Sequence, residues 1–203
     1  CRGHGDLAMM LDVWDQRLAM AGARLLRARS AYIARLQPAA IEIYRGLSAG
    51  KEAFDVRYRP AGEGLDALLG QDDKTLASAL YQLFGGNRDA DIAAGFTTAG
   101  PHRDDLEVEI AGLPARVYGS QGQQRSAVLA LKLAEATLLR TVTGEQPVAL
   151  LDDVMSELDA SRQDYILNHI HDWQVFVTCC DPEPLRRMEG GVEFHMKQGV
   201  LEA

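Results

Sequence analysis

Cysteine is scarce in this 203-residue chain: three in all, two of them adjacent (Cys179 and Cys180). That makes a poor disulfide framework and fits a reducing, cytoplasmic setting. No second ligand pair stands at zinc spacing, so no structural zinc site is expected. A run of about 18 apolar residues is missing, which excludes a membrane-spanning helix. Arg2, His4 and Asp6 interrupt any apolar stretch at the start, so these residues do not read as a secretion signal. The first residue is Cys rather than Met, and the chain is expected to begin inside a longer protein. Basic excess is absent too: with a net charge of −8, any contact with a polyanion must be local. Repeats and low-complexity segments are absent. Nor does Gly-x-x-x-x-Gly-Lys-Ser/Thr occur anywhere, so nothing here is expected to wrap the α- and β-phosphates of a nucleotide.

What is present suffices for a core, since 47% of the residues are apolar, in one domain or two small ones. Leu11, Trp14, Leu18, Ala21, Leu25, Ala28 and Tyr32 step by three and four, which predicts a long helix packed on another through that seam. The partner is either a separate helix from about Pro38 to Leu47, with Pro38 near its first turn, or sequence preceding Cys1. Arg17, Arg24 and Arg35 fall within about 20° of one another on the helical wheel, with Arg27 nearby. Such a stripe could track phosphates of DNA, although the acidic whole favours a solvated face.

Phe54–Arg59 alternates as a half-exposed strand ended by Pro60, and helical periodicity follows from Asp66 until Gly85-Gly86-Asn87 breaks it. A short helix at Asp89–Ala94 leads to a boundary near Gly95. Leu106, Val108 and Ile110 alternate with acids, with Ala115–Tyr118 as the returning hairpin strand. Near the end, Val175–Thr178 reads as a buried strand and Val192–Leu201 as a hairpin turned at Gln198-Gly199.

Two stretches carry chemistry. In Tyr118-Gly119-Ser120-Gln121-Gly122-Gln123-Gln124-Arg125, Ser120 is a natural N-cap and Gln123 completes a capping box ahead of a long apolar-periodic helix. Glycines allow close backbone approach, and free amides at a helix start attract phosphate. In Val148-Ala149-Leu150-Leu151-Asp152-Asp153, an apolar strand buried on both faces is expected to end in two acids, where parallel sheets place ligands. Such an acid can hold magnesium through water, and its neighbour can polarise an attacking water. An Asp-Asp pair could equally cap the following turn. The buried strand before it and Ser156-Glu157-Leu158-Asp159 after it favour nucleotide chemistry.

Together these stretches resemble the signature loop, Walker B strand and D-loop of an ABC-type ATPase. With Gly100-Pro101-His102-Arg103-Asp104-Asp105-Leu106 upstream, the chain is similar to the RecF family over most of its length. It departs from transporters, which carry Ser-Gly-Gly-Gln where Ser-Gln-Gly-Gln-Gln stands, glutamate at position 153 and a switch histidine at position 178.

The resemblance implies an α/β fold: the C-terminal part of an ABC-type ATPase head (96–203) plus a helical arm subdomain (1–95). It implies that Ser120, Gln121, Gly122, Gln123 and Gln124 meet, in trans, a nucleotide bound by the other subunit of an ATP-dependent homodimer. Asp152 takes the magnesium position, Asp153 the water-polarising one and Asp159 the D-loop. Thr178 is placed to position a water, though it cannot take up a proton as imidazole does. ATP and Mg2+ are the implied cofactors. Gapped DNA or single-strand/duplex junctions and recombination mediator proteins are the implied partners. Aspartate at 153 is one methylene shorter than glutamate, so slow hydrolysis is expected of the intact protein; without a phosphate-wrapping loop, none is expected of this chain alone. For Arg103, pairing with Asp104 or Asp105 is as good a reading as ligand contact. Rivals are another SMC-like head, a transporter subunit, and a degenerate half-head that only dimerises.

Overall fold

The computed structural model describes residues 2–155, 158–170, 172–180 and 191–202, the side chains of 2–8 and 202 aside. Helix α1 (Arg2–Leu47) runs 46 residues without interruption. After it come β1 (Phe54–Arg59), α2 (Leu65–Leu68), α3 (Asp73–Ala94) and a 3-10 turn, Pro101–Arg103. Next are β2 (Asp105–Ile110), β3 (Leu113–Pro114), α4 (Ala115–Tyr118) and α5 (Gln121–Thr143). The chain continues through β4 (Ala149–Asp152), α6 (Ala160–His169), β5 (Val175–Thr178) and a hairpin, β6 (His195–Lys197) with β7 (Val200–Glu202). The mixed helix-and-sheet class is the expected one. No described helix is long and apolar enough to cross a membrane.

Pro38 lies inside α1 rather than starting a second helix. A proline in a helix interior costs roughly 3 kcal/mol, because it removes an amide donor and crowds the preceding turn. Leu36, Ala40, Ile43, Tyr44 and Leu47 are all buried around it. Each large apolar side chain so buried contributes about 1.5–3 kcal/mol, so packing outweighs the break.

The expected seam of α1 is not its packed face. Trp14 is 63% exposed, and Leu18, Leu25 and Tyr32 are exposed as well. The buried line is Ala19, Ala23 and Leu26, which pack with Leu76, Leu80 and Phe84 of α3. A methyl group on Gly22 would come within 2.9 Å of Leu80 Cδ1, so the two backbones meet where side chains are smallest. Heptad spacing weights large residues and passes over a face made of alanine and glycine.

Helix α3 also continues where a break is expected, through Gly85-Gly86-Asn87, and absorbs Asp89–Ala94. Each glycine costs about 1 kcal/mol there. Buried Phe84 on one side and the Arg88 ion pairs to Asp12 and Asp15 of α1 on the other hold the helix through them. It ends at Gly95, whose φ of 75° is left-handed.

Ala115–Tyr118 forms α4, not a hairpin strand. Pro114 offers no amide to a ladder, and β2 takes β1 as its long antiparallel partner, from Phe54 opposite Ile110 to Arg59 opposite Asp105.

Two buried clusters result, both threaded by α1. One joins Ala19–Leu26 with Leu65 and α3. The other joins the last turns of α1 (Ile33 to Leu47) with β1, α5, β4 and α6. Strands β4 and β5 pair in parallel, Ala149 with Val175 through Asp152 with Thr178. Among the described residues only one face of this pair is covered, contrary to the sequence expectation. Leu151 is buried, whereas Leu150 is 74% exposed and Phe176 is exposed beside it. Cys180, just beyond β5, is exposed too.

Candidate nucleotide site

Helix α5 begins as its sequence predicts. Ser120 Oγ accepts from the Gln123 amide at 3.3 Å, and Gln123 Oε1 accepts from the Ser120 amide at 2.8 Å. The glycine before it is obligatory: a methyl on Gly119 would stand 2.5 Å from the Ala115 carbonyl oxygen. Gln124 closes the same turn by donating to the carbonyls of Ala115 and Gly119, each at 3.0 Å.

Gln123 also donates to Glu52 Oε1 at 2.7 Å, and the Tyr44 hydroxyl donates to Glu52 Oε2 at 2.7 Å. The turn is thereby anchored to the end of α1. Burial first, and then Glu52, hold the Tyr44 phenol well above its ordinary pKa, so this hydroxyl stays a donor. The side chains of Gln123 and Gln124 are committed within the chain, while Ser120 and Gln121 lie at the surface.

The acids at the end of β4 are open to solvent. Thr178, level with Asp152 across the parallel pair, donates its hydroxyl to Asp152 Oδ1. The Asp153 amide donates to the Thr178 carbonyl at 3.2 Å and to its Oγ1 at 3.1 Å. Asp153 has a φ of 52°, a left-handed conformation unusual for a residue other than glycine, which turns the chain sharply as it leaves the sheet. Among the described residues no group of three metal-ligating side chains occurs. Magnesium takes one or two carboxylates and completes its shell with water and phosphate oxygens. Asp152 fits as such a carboxylate.

Ser156 and Glu157 lie outside the described residues; Leu158 and Asp159 do not. Buried Gln163 donates to the Met155 and Leu158 carbonyls at 2.8 and 3.1 Å. Asp159 caps α6, accepting from the Arg162 amide at 3.0 Å and from Arg162 Nη1 at 2.9 Å. Leu151, Met155, Leu158 and Ile166 share one core with Leu129 and Leu133 of α5, so the signature turn and the strand-end acids are built on a common support.

Other expected residues lie elsewhere. Arg17, Arg24 and Arg35 are exposed along α1, and Arg27 beside them pairs with Asp73 at 2.6 Å. Arg103 pairs with neither adjacent acid. It sits 5.5 Å from the centroid of the Phe96 ring, while Asp104 goes to Arg29 and Asp105 to Arg116. His102 Nε2 lies 2.9 Å from the Thr97 carbonyl oxygen. Glu52, Gln163 and Arg162 escape sequence reading because each acts through a side-chain bond that belongs to no short motif.

No protein-family model matches the chain. Proteins named DNA replication and repair protein RecF do. The one from Acetivibrio thermocellus is 36% identical over 192 residues, covering 95% of this chain and 51% of the relative. That of Synechocystis sp. is 43% identical over 169 residues, 83% of this chain and 43% of the relative. Among solved structures, RecF-ATPrS, described as a recombination mediator protein in the RecFOR pathway, superposes with a TM-score of 0.79 at 33% identity. It covers 95% of this chain and 50% of that one. The corresponding RecF-ATP structure gives 0.78 at 34% identity, with 95% and 51% covered. The chain thus spans about half the length of the relatives it matches. Along nearly all of its own length it belongs to the RecF family, in the C-terminal portion of those proteins.

Proposed function

We propose that this chain supplies part of an ATP-dependent clamp on DNA: the trans-acting signature turn and D-loop of an ABC-type ATPase head, together with its Walker B acids. The observation that supports it is the shared support of two chemically different edges. A capped helix start with a surface serine and a strand end carrying two acids, Asp152 and Asp153, rise from one core.

In this reading Ser120, Gln121 and Gly122 meet the terminal phosphate of a nucleotide held by another protomer. Gln123 and Gln124 hold the turn in shape, since their amides are bonded inside the chain. Asp152 carries magnesium through water, and the Thr178 hydroxyl fixes that carboxylate's orientation. Magnesium, when bound, neutralises charge on the terminal phosphates. Asp153 draws the proton from the attacking water, from a carboxylate one methylene shorter than glutamate, which makes the intact protein a slow ATPase suited to a switch. Asp159 meets the opposing protomer at the D-loop. Arg17, Arg24 and Arg35 form a phosphate-tracking stripe on the arm. Gapped or junction DNA and recombination mediators complete the reading, as partners of the whole protein.

The test is complementation. This chain is mixed with a separately expressed N-terminal half of a RecF-family protein, and ATP hydrolysis and nucleotide-dependent association are followed. The chain alone is expected to show no turnover, and the pair a slow one lost with Asp153→Asn. Turnover by the chain alone, or a pair indifferent to that substitution, overturns the assignment.

A further inference from the structure

Gly122 and Asp159 belong to different motifs, 37 residues apart, yet one side chain reaches both. Arg162 Nη1 is 2.9 Å from Asp159 Oδ2. A methyl group on Gly122 would stand 3.2 Å from that same nitrogen, with no other neighbour within 4 Å. The guanidinium therefore lies in close contact with the position a side chain at 122 would take. The group is also well held: its side chain is only 21% exposed, and its own amide is spent on Asp159 Oδ1. Its charge reaches Tyr44 as well, where it opposes the upward pull of burial and Glu52 on the phenol.

We propose that Arg162 is a positioning residue that locks the D-loop acid Asp159 to the signature turn at Gly122, so that both trans-acting elements are presented to an opposing protomer as one rigid edge. The proposal rests on the reading of this edge as a nucleotide-dependent interface. It assigns Gly122 a reason beyond turn geometry. A side chain at 122 would crowd the arginine tip, which would have to give by a few tenths of an ångström. A guanidinium suits the task because its planar fork can face a carboxylate on one side and lie along backbone on the other, which an ammonium cannot.

The experiment has two arms. In this chain, amide exchange at residues 121–124 is compared between wild type, Arg162→Ala and Arg162→Lys, with thermal unfolding as control. Arg162→Ala is expected to speed exchange there about fivefold or more without changing exchange in the distal half of α5. Arg162→Lys is expected to recover only part of the protection. Gly122→Ala presses on the guanidinium, so adding it to Arg162→Ala is expected to cost less than the sum of the two. In a RecF-family protein of full length carrying this region, Arg162→Ala is expected to weaken ATP-dependent dimerisation about tenfold while single-protomer nucleotide affinity stays as it was.

Wild-type exchange in Arg162→Ala, or strict additivity with Gly122→Ala, overturns the lock. A full-length wild-type protein that never associates on ATP overturns the interface reading itself, and with it the role of the lock in docking, whatever the exchange rates. The two failures are told apart because the first leaves wild-type association intact.

Discussion

Asp104-Asp105 and Asp152-Asp153 are the same dipeptide, each at one end of a strand, and they meet opposite surroundings. The Asp104 side chain is 3% exposed and fully engaged: Arg29 Nη1 at 2.8 Å, the Ala61 amide at 2.9 Å and the Tyr58 hydroxyl all donate to it. Asp152 is open to solvent, with Thr178 as its donor. One carboxylate has spent its lone pairs on tying α1, β1 and the 3-10 turn together. The other, among the described residues, accepts from the Thr178 hydroxyl and otherwise faces solvent. A conspicuous acid pair in a motif is thus no guide to chemistry until its donors are counted.

The sharpest test of that contrast is Asp104→Ala. Removing the carboxylate strands a phenol and an amide and leaves Arg29 without its counter-ion, a loss of about 3 kcal/mol or more. Denaturant unfolding of this chain measures it; a loss below about 1 kcal/mol erases the distinction between the two pairs. Next in size is Gly119→Ala. Its methyl would meet a backbone carbonyl that cannot swing aside, and roughly 2 kcal/mol of destabilisation is expected in the same assay.

A smaller, pH-dependent effect comes from the hydroxyls. Burial, and after it the bond to Asp104, raises the Tyr58 pKa; burial and Glu52 do the same for Tyr44. Both protons are held more tightly in the folded state. Their contribution is complete below the unfolded value, about 10, and is lost as pH rises through the higher folded values. Stability measured from about pH 9 upward is expected to fall, and to fall less steeply in Tyr58→Phe, which has no proton to lose. Equal slopes in the two proteins would detach the Asp104 network from that fall.

Much of this molecule is legible in its sequence where a local rule is also the tertiary answer. Ser120 and Gln123 cap α5 as their spacing predicts, and Gln198-Gly199 turns the last hairpin. Reading fails where packing overrides local preference. Pro38 and Gly85-Gly86 sit inside helices because buried neighbours outweigh them. The N-terminal half of α1 packs through Ala19, Gly22, Ala23 and Leu26, while Trp14, Leu18 and Leu25 of its large apolar seam stay open. β4 looks like a strand buried on both sides, yet one side of the β4–β5 pair carries exposed Leu150 and Phe176. Its apolar sequence is written for more cover than these residues provide.

The smallest effect on folding should come with the largest on function, at Asp152→Asn. The asparagine keeps the shape and still offers an oxygen to the Thr178 hydroxyl. At an exposed strand end the change should leave stability within about 0.5 kcal/mol. Replacing a carboxylate with a neutral amide removes the charge that would hold magnesium, so ATP hydrolysis in the complemented protein is expected to vanish. The opposite pattern, a large folding loss with hydrolysis retained, would make Asp152 a second Asp104: a structural acid whose position at the end of a parallel strand is incidental.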